Sequence, residues 1–535
     1  MSDIPNVNDR PKWLIVQMGH LGKLMQTVPA INGAKLLNPA PHIHIVVDDE
    51  YAELAEMIDG VEKVIPVNRN HWRKLLNNSM LSWTERFDQI GNLPADLENE
   101  EYDFAVNLTH NPESAYIVPL TGIKDQSGLL GDRLGLKMLG KWELYYHTAQ
   151  SMQGLGAFNL SDIHICQAKS AFPAAGGGIN VDTDSLNQIY DMLRPEKQSR
   201  PLIAIQIGAC PPSRQWGLQN YKNLAELLVK QTNARIVMVG SQDEAELSRS
   251  LSRLYKDNII SLAGEATPQQ LALILKCCDL MIGGDTGILQ LAAAIGIQTV
   301  SIFKGEADVD LRTPYGKRHV VFASDPLLNA GISSEAVFNV VDNILHGQQL
   351  HVFNGNGYRM MVTDFDEHGF LVLKGSGADI TDKRRNMLRQ LWGSEFLGFQ
   401  PKSNNDLSGI LNQEEKEELQ KLTNTAKAGS YIARDIYSAL YNRRSPDHLV
   451  RALTEVKIII DDISSRSGIP AMLALLHKLE QEMLRKRNSG FITELEETYA
   501  SLYRHAQFVL DADTREFIPV NTADNLRNMV REIVS

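Results

Sequence analysis

The chain has 535 residues, 43% of them apolar and 22% charged, with a formal net charge of −12. That length calls for two to four hydrophobic cores rather than one. No apolar run approaches the roughly 20 residues that span a bilayer, and the acidic balance argues against broad nucleic-acid binding while leaving room for a local basic pocket. The start, "MSDIPNVNDRPKW", has neither the basic head nor the apolar core of a secretory signal, so residence in the cytoplasm is expected. Cys166, Cys210, Cys277 and Cys278 have neither zinc-ligand spacing nor a paired framework and are expected to be reduced thiols.

Trp13–Met18 ("WLIVQM") reads as a buried strand, and "GHLGKLMQTVPA" after it opens a helix. Its glycines Gly19 and Gly22 let backbone N–H groups approach a phosphate or a sugar, and Lys23 sits where it can hold an anion. Ile43–Asp49, Lys63–Asn68 and Phe104–Leu108 are further strands, with helical spacing at Ile31–Leu37 and Tyr51–Met57. Alternation of this kind predicts a parallel sheet covered on both faces. Asp48 and Asp49 after the second strand imitate a dinucleotide fold. The third glycine of G-x-G-x-x-G is missing, however, which argues against an NAD-dependent oxidoreductase.

"AFPAAGGGINVD", from Ala171, breaks the pattern as a linker. The alternation then resumes with strands at Leu202–Gly208, Arg235–Gly240, Ile259–Gly264, Leu280–Gly283 and Thr299–Phe303. Two doubly wound α/β domains, 1–175 and 176–350, are therefore expected to face a cleft. In the second, "QIGACPPSRQWG" leaves the first strand through Gly208 and delivers Arg214 to the strand-end edge. "LMIGGDTGILQLAAAIGIQTVSIF" runs a strand into Gly283-Gly284, where Asp285 can cap the next helix and Thr286 and Gly287 present N–H groups at its positive end. Arginine and helix start together make a cradle for a diphosphate.

Beyond 350 the character changes. "YRMMVTDFDEHGFLVLKG" predicts a β-hairpin around Asp366–Gly369, within a connector over 351–400. Apolar residues then recur every three or four positions, as at Leu449, Leu453, Val456 and Ile460, which predicts a helical bundle over 401–535. Such a bundle offers surface for a second copy or a partner protein.

The combination of "GHLGKLMQTVPA", "YDFAVNLTHNPESA", "QIGACPPSRQWGLQNYKNLAELL", "IISLAGEATPQQLALILKCCDLMIGGDTGILQLAAAIGIQTVSIF" and "TPYG" resembles glycosyltransferase family nine, the heptosyltransferases, over about residues 12 to 325. The resemblance implies a GT-B fold of two Rossmann-like domains. It also implies metal-independent, inverting transfer of a heptose from an ADP-activated donor to a lipopolysaccharide core or a protein. The first domain would hold the acceptor and the second the nucleotide sugar, with no integral membrane segment and at most a peripheral place at the inner membrane. Asp285, Thr286 and Gly287 match the family's donor-binding D-[ST]-G, and Arg214 stands where the family often has a phosphate-binding lysine.

Two departures stand against this. The position of the family's proposed catalytic aspartate is Lys23, and the histidine of D-[ST]-G-x-x-H is Gln290, which can still hydrogen-bond a donor. A lysine with its ordinary pKa of about 10.4 is protonated at neutral pH and cannot accept a proton. His20 and His110, both on strand-end loops, are the expected replacements as base, giving a pH limb near 6 to 7, with Asp48 and Asp49 at the end of the second strand as the other candidates. The competing reading is a catalytically silent GT-B protein that binds nucleotide sugar or glycan and uses its helical tail as a scaffold.

Overall fold

The structure is a computed structural model that describes residues 10–375, together with Arg389. It leaves out 79, 81, 83–84, 86–88, 90–92, 133–134, 141, 144, 148–156, 174–176, 195–199, 209–213, 305–308 and 325–330. Cys210, the later part of the expected connector and the expected bundle over 401–535 lie outside the described residues. The chain divides into two compact units, Met1–His147 with Phe158–Ser376, and Thr148–Ala157 with Gly377–Ser535. The first contains both sheets.

The first sheet runs in the order β3-β2-β1-β4-β5-β6. Its strands are β1 (Lys12–Gln17), β2 (His42–Asp48), β3 (Val61–Val67), β4 (Phe104–Asn107), β5 (Gln126–Asp132) and β6 (Gly135–Leu139). The first five are parallel, and β6 returns antiparallel to β5. β1 is central and buried from Trp13 onward, as its unbroken apolar run requires.

The second sheet has nine strands, β7 (Leu202–Gln206), β8 (Arg235–Val239), β9 (Ile259–Ser261), β10 (Leu280–Gly284), β11 (Thr299–Phe303), β12 (Val320–Ser324), β13 (Phe353–Gly355), β14 (Tyr358–Phe365) and β15 (Leu371–Lys374). They lie in the order β13-β14-β12-β11-β10-β7-β8-β9, with β15 also on β14. The hairpin β14–β15 turns at Asp366–Gly369 and, through β14, adds antiparallel to β12. It is the expected hairpin, and it extends the second sheet at its β14 edge.

Helix α1 (Leu21–Ala34) leaves β1 and is buried on nearly every face. α2 (Leu160–Gln167) packs on it, capped by Asn159 in a capping box with Asp162. On the other side α1 meets α3 (Gly287–Ile295), the helix that leaves β10. One apolar cluster runs from Ile15 and Ile45 through Leu24, Val28, Leu291 and Ile295 to Ala204 and Met281, so the two sheets share a continuous core. The starts of α1 and α3 touch glycine to glycine. A Cβ on Gly22 would lie 3.1 Å from the Gly287 Cα, and one on Gly287 only 2.8 Å from the Gly22 nitrogen. Among the described residues no helix is long and apolar enough to cross a membrane.

Candidate functional site

At the end of β1 the residue His20 is the N-cap of α1, and its carbonyl accepts from the Lys23 and Leu24 nitrogens at 2.9 and 3.2 Å. Its side chain is exposed to solvent on one side and walled by protein on the others. Lost hydration, then the charges of Lys23, Arg69 and Arg312, outweigh the attraction of Asp285 and bring its pKa down to about 4. His20 is therefore neutral at neutral pH and carries a free lone pair. The ordinary histidine range near 6 to 7 expected for a base therefore does not hold for His20 in this site.

Lys23 is half-buried; its Nζ donates to the Thr109 carbonyl at 3.1 Å and lies 5.3 Å from the centre of the Tyr146 ring. The Tyr146 ring stacks on His110, centroids 3.9 Å apart. His110 corrects an expectation. It is buried at φ 57°, with Nδ1 2.7 Å from Glu143 Oε2 and Nε2 3.1 Å from His164 Nε2. With both ring nitrogens committed inside the protein, it cannot take a proton from an acceptor in solution.

Glu143 has a fully buried side chain and also accepts from His147 at 2.9 Å and Gln167 at 2.6 Å. Burial alone would raise its pKa, but the charges and hydrogen bonds of His110 and His147 prevail and hold it well below the usual carboxylate range. Burial, then the His110 charge, drives the pKa of His164 well down. His164 in turn reaches Thr27 Oγ1 and the Gln26 carbonyl, each at 3.2 Å. Glu143, His147 and His164 carry no local motif, and only tertiary contact brings them to His110.

In the second sheet the N-cap of α3 is Thr286, not Asp285 as the sequence suggested. Its Oγ1 accepts from the Leu289 nitrogen at 3.4 Å and donates to Gln206 Oε1 at 2.5 Å. Asp285 is thereby free to face two arginines. Its Oδ2 accepts from Arg214 Nη1 at 3.3 Å and Arg312 Nη1 at 2.9 Å. Arg312 ends the short helix α4 (Val309–Arg312) and was missed because a lone arginine in a loop has no pattern.

Gln290 is 6% exposed, and its Nε2 donates to the Arg312 carbonyl at 2.6 Å, so it braces that loop. Gly208 lies at the end of β7, where a Cβ would collide with Glu244 Oε1. Gln206 Nε2 donates to that oxygen at 3.4 Å, and burial raises the pKa of Glu244. Gly19 lies against Gln17, whose Oε1 accepts from its nitrogen at 3.0 Å.

Asp48 at the end of β2 pairs with Arg69 Nε at 3.5 Å, and Asp49 accepts from Asn68 Nδ2 at 2.8 Å, so both serve that turn. His20 feels Lys23 and Arg69 from the first sheet and Asp285 and Arg312 from the second. Two helix starts, a neutral histidine and a surplus of cations thus converge on one place, which suits an anion with a reacting group beside it.

Residues 90–331 match the model of "Glycosyltransferase family 9 (heptosyltransferase)". The segment holding His20 and Lys23 lies outside that match. Among curated proteins, lipopolysaccharide heptosyltransferase 1 of Pseudomonas aeruginosa is 24% identical over 320 residues, covering 58% of this chain and 83% of that one. Lipopolysaccharide heptosyltransferase 1 of Escherichia coli K12 is 20% identical over 334 residues, 62% of this chain and 99% of that one. Among solved structures, a glycosyl transferase of family 9 from Veillonella parvula, 16% identical, superposes with a TM-score of 0.51 over 64% of this chain and 98% of its own, a likeness of fold. The chain is thus heptosyltransferase-like: residues 90–331 resemble glycosyltransferase family 9, and the curated relatives it matches are heptosyltransferases.

Proposed function

We propose that the protein transfers a sugar, a heptose in the first instance, from an ADP-activated donor to a cell-surface glycan or a protein, with inversion and without a metal. The observation that carries this is the meeting of Arg214 and Arg312 on Asp285 at the start of α3. Guanidinium groups beside a helix N-terminus complement a diphosphate, and more so a departing one. In the step proposed, an acceptor oxygen bonds to the anomeric carbon as the bond to the diphosphate oxygen breaks. The electron pair leaves with the diphosphate toward the arginines, and the acceptor proton passes to His20.

His20 is a weak base while its pKa stays near 4. A bound diphosphate would offset the Lys23, Arg69 and Arg312 charges that help to depress it, so the donor itself would make the base stronger. Lys23, tied to Thr109, holds an anionic group of donor or acceptor and takes no proton. Incubation of the protein with a panel of nucleotide sugars, with binding and nucleotide diphosphate release both measured, tests the reading. Release that depends on acceptor and falls at least tenfold in His20→Ala supports it. Donor binding without release under any condition replaces it with the silent scaffold.

A further inference from the structure

We infer that Arg312 is a ligand-binding cation of this site, sharing the anion with Arg214, and that Gln290, Gln26 and Asn159 are positioning residues that aim it. This rests on the reading of the site as a diphosphate site and adds residues to it.

Four consecutive carbonyls, from Asp310 to Thr313, are each taken by a side-chain amide. Asn159 Nδ2 donates to the Asp310 and Thr313 oxygens at 3.1 and 2.7 Å, Gln26 Nε2 to Leu311 at 3.2 Å, and Gln290 Nε2 to Arg312 at 2.6 Å. The three amides are 1%, 5% and 6% exposed and come from three separate places, the cap of α2, α1 and α3. A helix of four residues cannot satisfy its own last carbonyls, so these amides do what further helical turns would otherwise do. Each is buried, and loss of its acceptor would leave an unpaired donor, so the loop is held in one conformation.

What that conformation presents is the guanidinium. Arg312 and Arg214 side chains are 29% and 20% exposed, and both bond the same oxygen of Asp285. One carboxylate balances one of two guanidinium charges. The surplus positive charge lies beside Thr286 and Gly287, where the first N–H groups of α3 point outward. A structural ion pair would need one arginine; the second is explained by an anion that binds there.

Calorimetry on the full chain, with ADP, inorganic pyrophosphate and adenosine as probes, decides this. Arg312→Ala should weaken ADP and pyrophosphate about tenfold to a hundredfold, the size of a lost charge-assisted bond, and leave adenosine unchanged. Arg312→Lys, which keeps the charge and the Asp285 pair, should recover part of that affinity. Gln290→Ala should weaken ADP several-fold in wild type and cause no further loss in Arg312→Ala. Gln290→His, whose ring can still donate one N–H to the carbonyl, should restore ADP binding.

Unchanged ADP affinity in Arg312→Ala, with its thermal unfolding as in wild type, overturns the role of Arg312. A Gln290→Ala cost that persists in the Arg312→Ala background overturns the positioning role. Pyrophosphate binding that depends on Arg312, in a protein that transfers no sugar, supports the inference and rejects the proposed transfer. A wild type that binds neither ADP nor pyrophosphate rejects both.

Discussion

His20 shows how one side chain takes its chemistry from neighbours that are distant in sequence. Its pKa of about 4 comes from lost hydration and three cations, of which Arg69 and Arg312 arrive from other parts of the fold. Addition of ADP should raise it toward the ordinary value near 6.5, by about one unit or more, since an anion cancels cations within a few ångströms. NMR titration of the His20 ring with and without ADP reads this directly; an identical pKa in both would place the diphosphate elsewhere. Asp285, Thr286, Gly287 and Arg214 were legible because a strand-to-helix turn and its neighbouring loop form local patterns. His110 was misread because burial decides what it can touch. Arg312, Glu143 and His164 had no local signal at all.

At the scale of elements, the starts of α1 and α3 meet at Gly22 and Gly287. Gly287→Ala places a methyl group 2.8 Å from the Gly22 nitrogen, so the two helix starts must part. That change should cost about 1–3 kcal/mol of stability, as overpacking does, and weaken ADP binding as well. Gly22→Ala, whose nearest backbone neighbour is at 3.1 Å, should be milder in both. Denaturant titration and calorimetry on the two variants check the order; a Gly287→Ala protein as stable as wild type would show that the helices have slack. Strands β1, β2, β3, β4, β7, β8, β10 and β11 were readable within about a residue or two, because each is a short apolar run ending at a turn residue. β5 was missed since "QSGLLGD" is interrupted by glycines. β12 was missed since His319 and Ser324 bound a run too short to stand out.

For the whole molecule, the shared core predicts that both sheets melt as one unit. Leu24→Ala removes a fully buried side chain of α1 and should cost about 2–5 kcal/mol. Hydrogen exchange should then accelerate in β7 and β10 as well as in β1; acceleration confined to the first sheet would mean two independent cores. Stability should also fall with acid. Burial holds the pKa of His319 at about 4, below its unfolded value, so the unfolded chain binds the extra proton first. Its contribution is full above about pH 6.5 and is drained between there and pH 4, by about 3 kcal/mol at most. Denaturation at stepped pH should show this slope, and His319→Gln should flatten it. The sequence determined the two alternating α/β sheets, the strand-to-helix turns and the D-T-G helix start, because hydrophobic period and turn chemistry act over a few residues. Only the tertiary structure decided that His20 stays exposed at the start of α1 among cations, that His110 is sealed against Glu143, and that Arg312 reaches Asp285. Those outcomes depend on burial and on charges brought together from 27 residues apart in the Arg312–Asp285 pair, 33 in the His110–Glu143 pair and far more between His20 and Arg312, where local pattern carries no information.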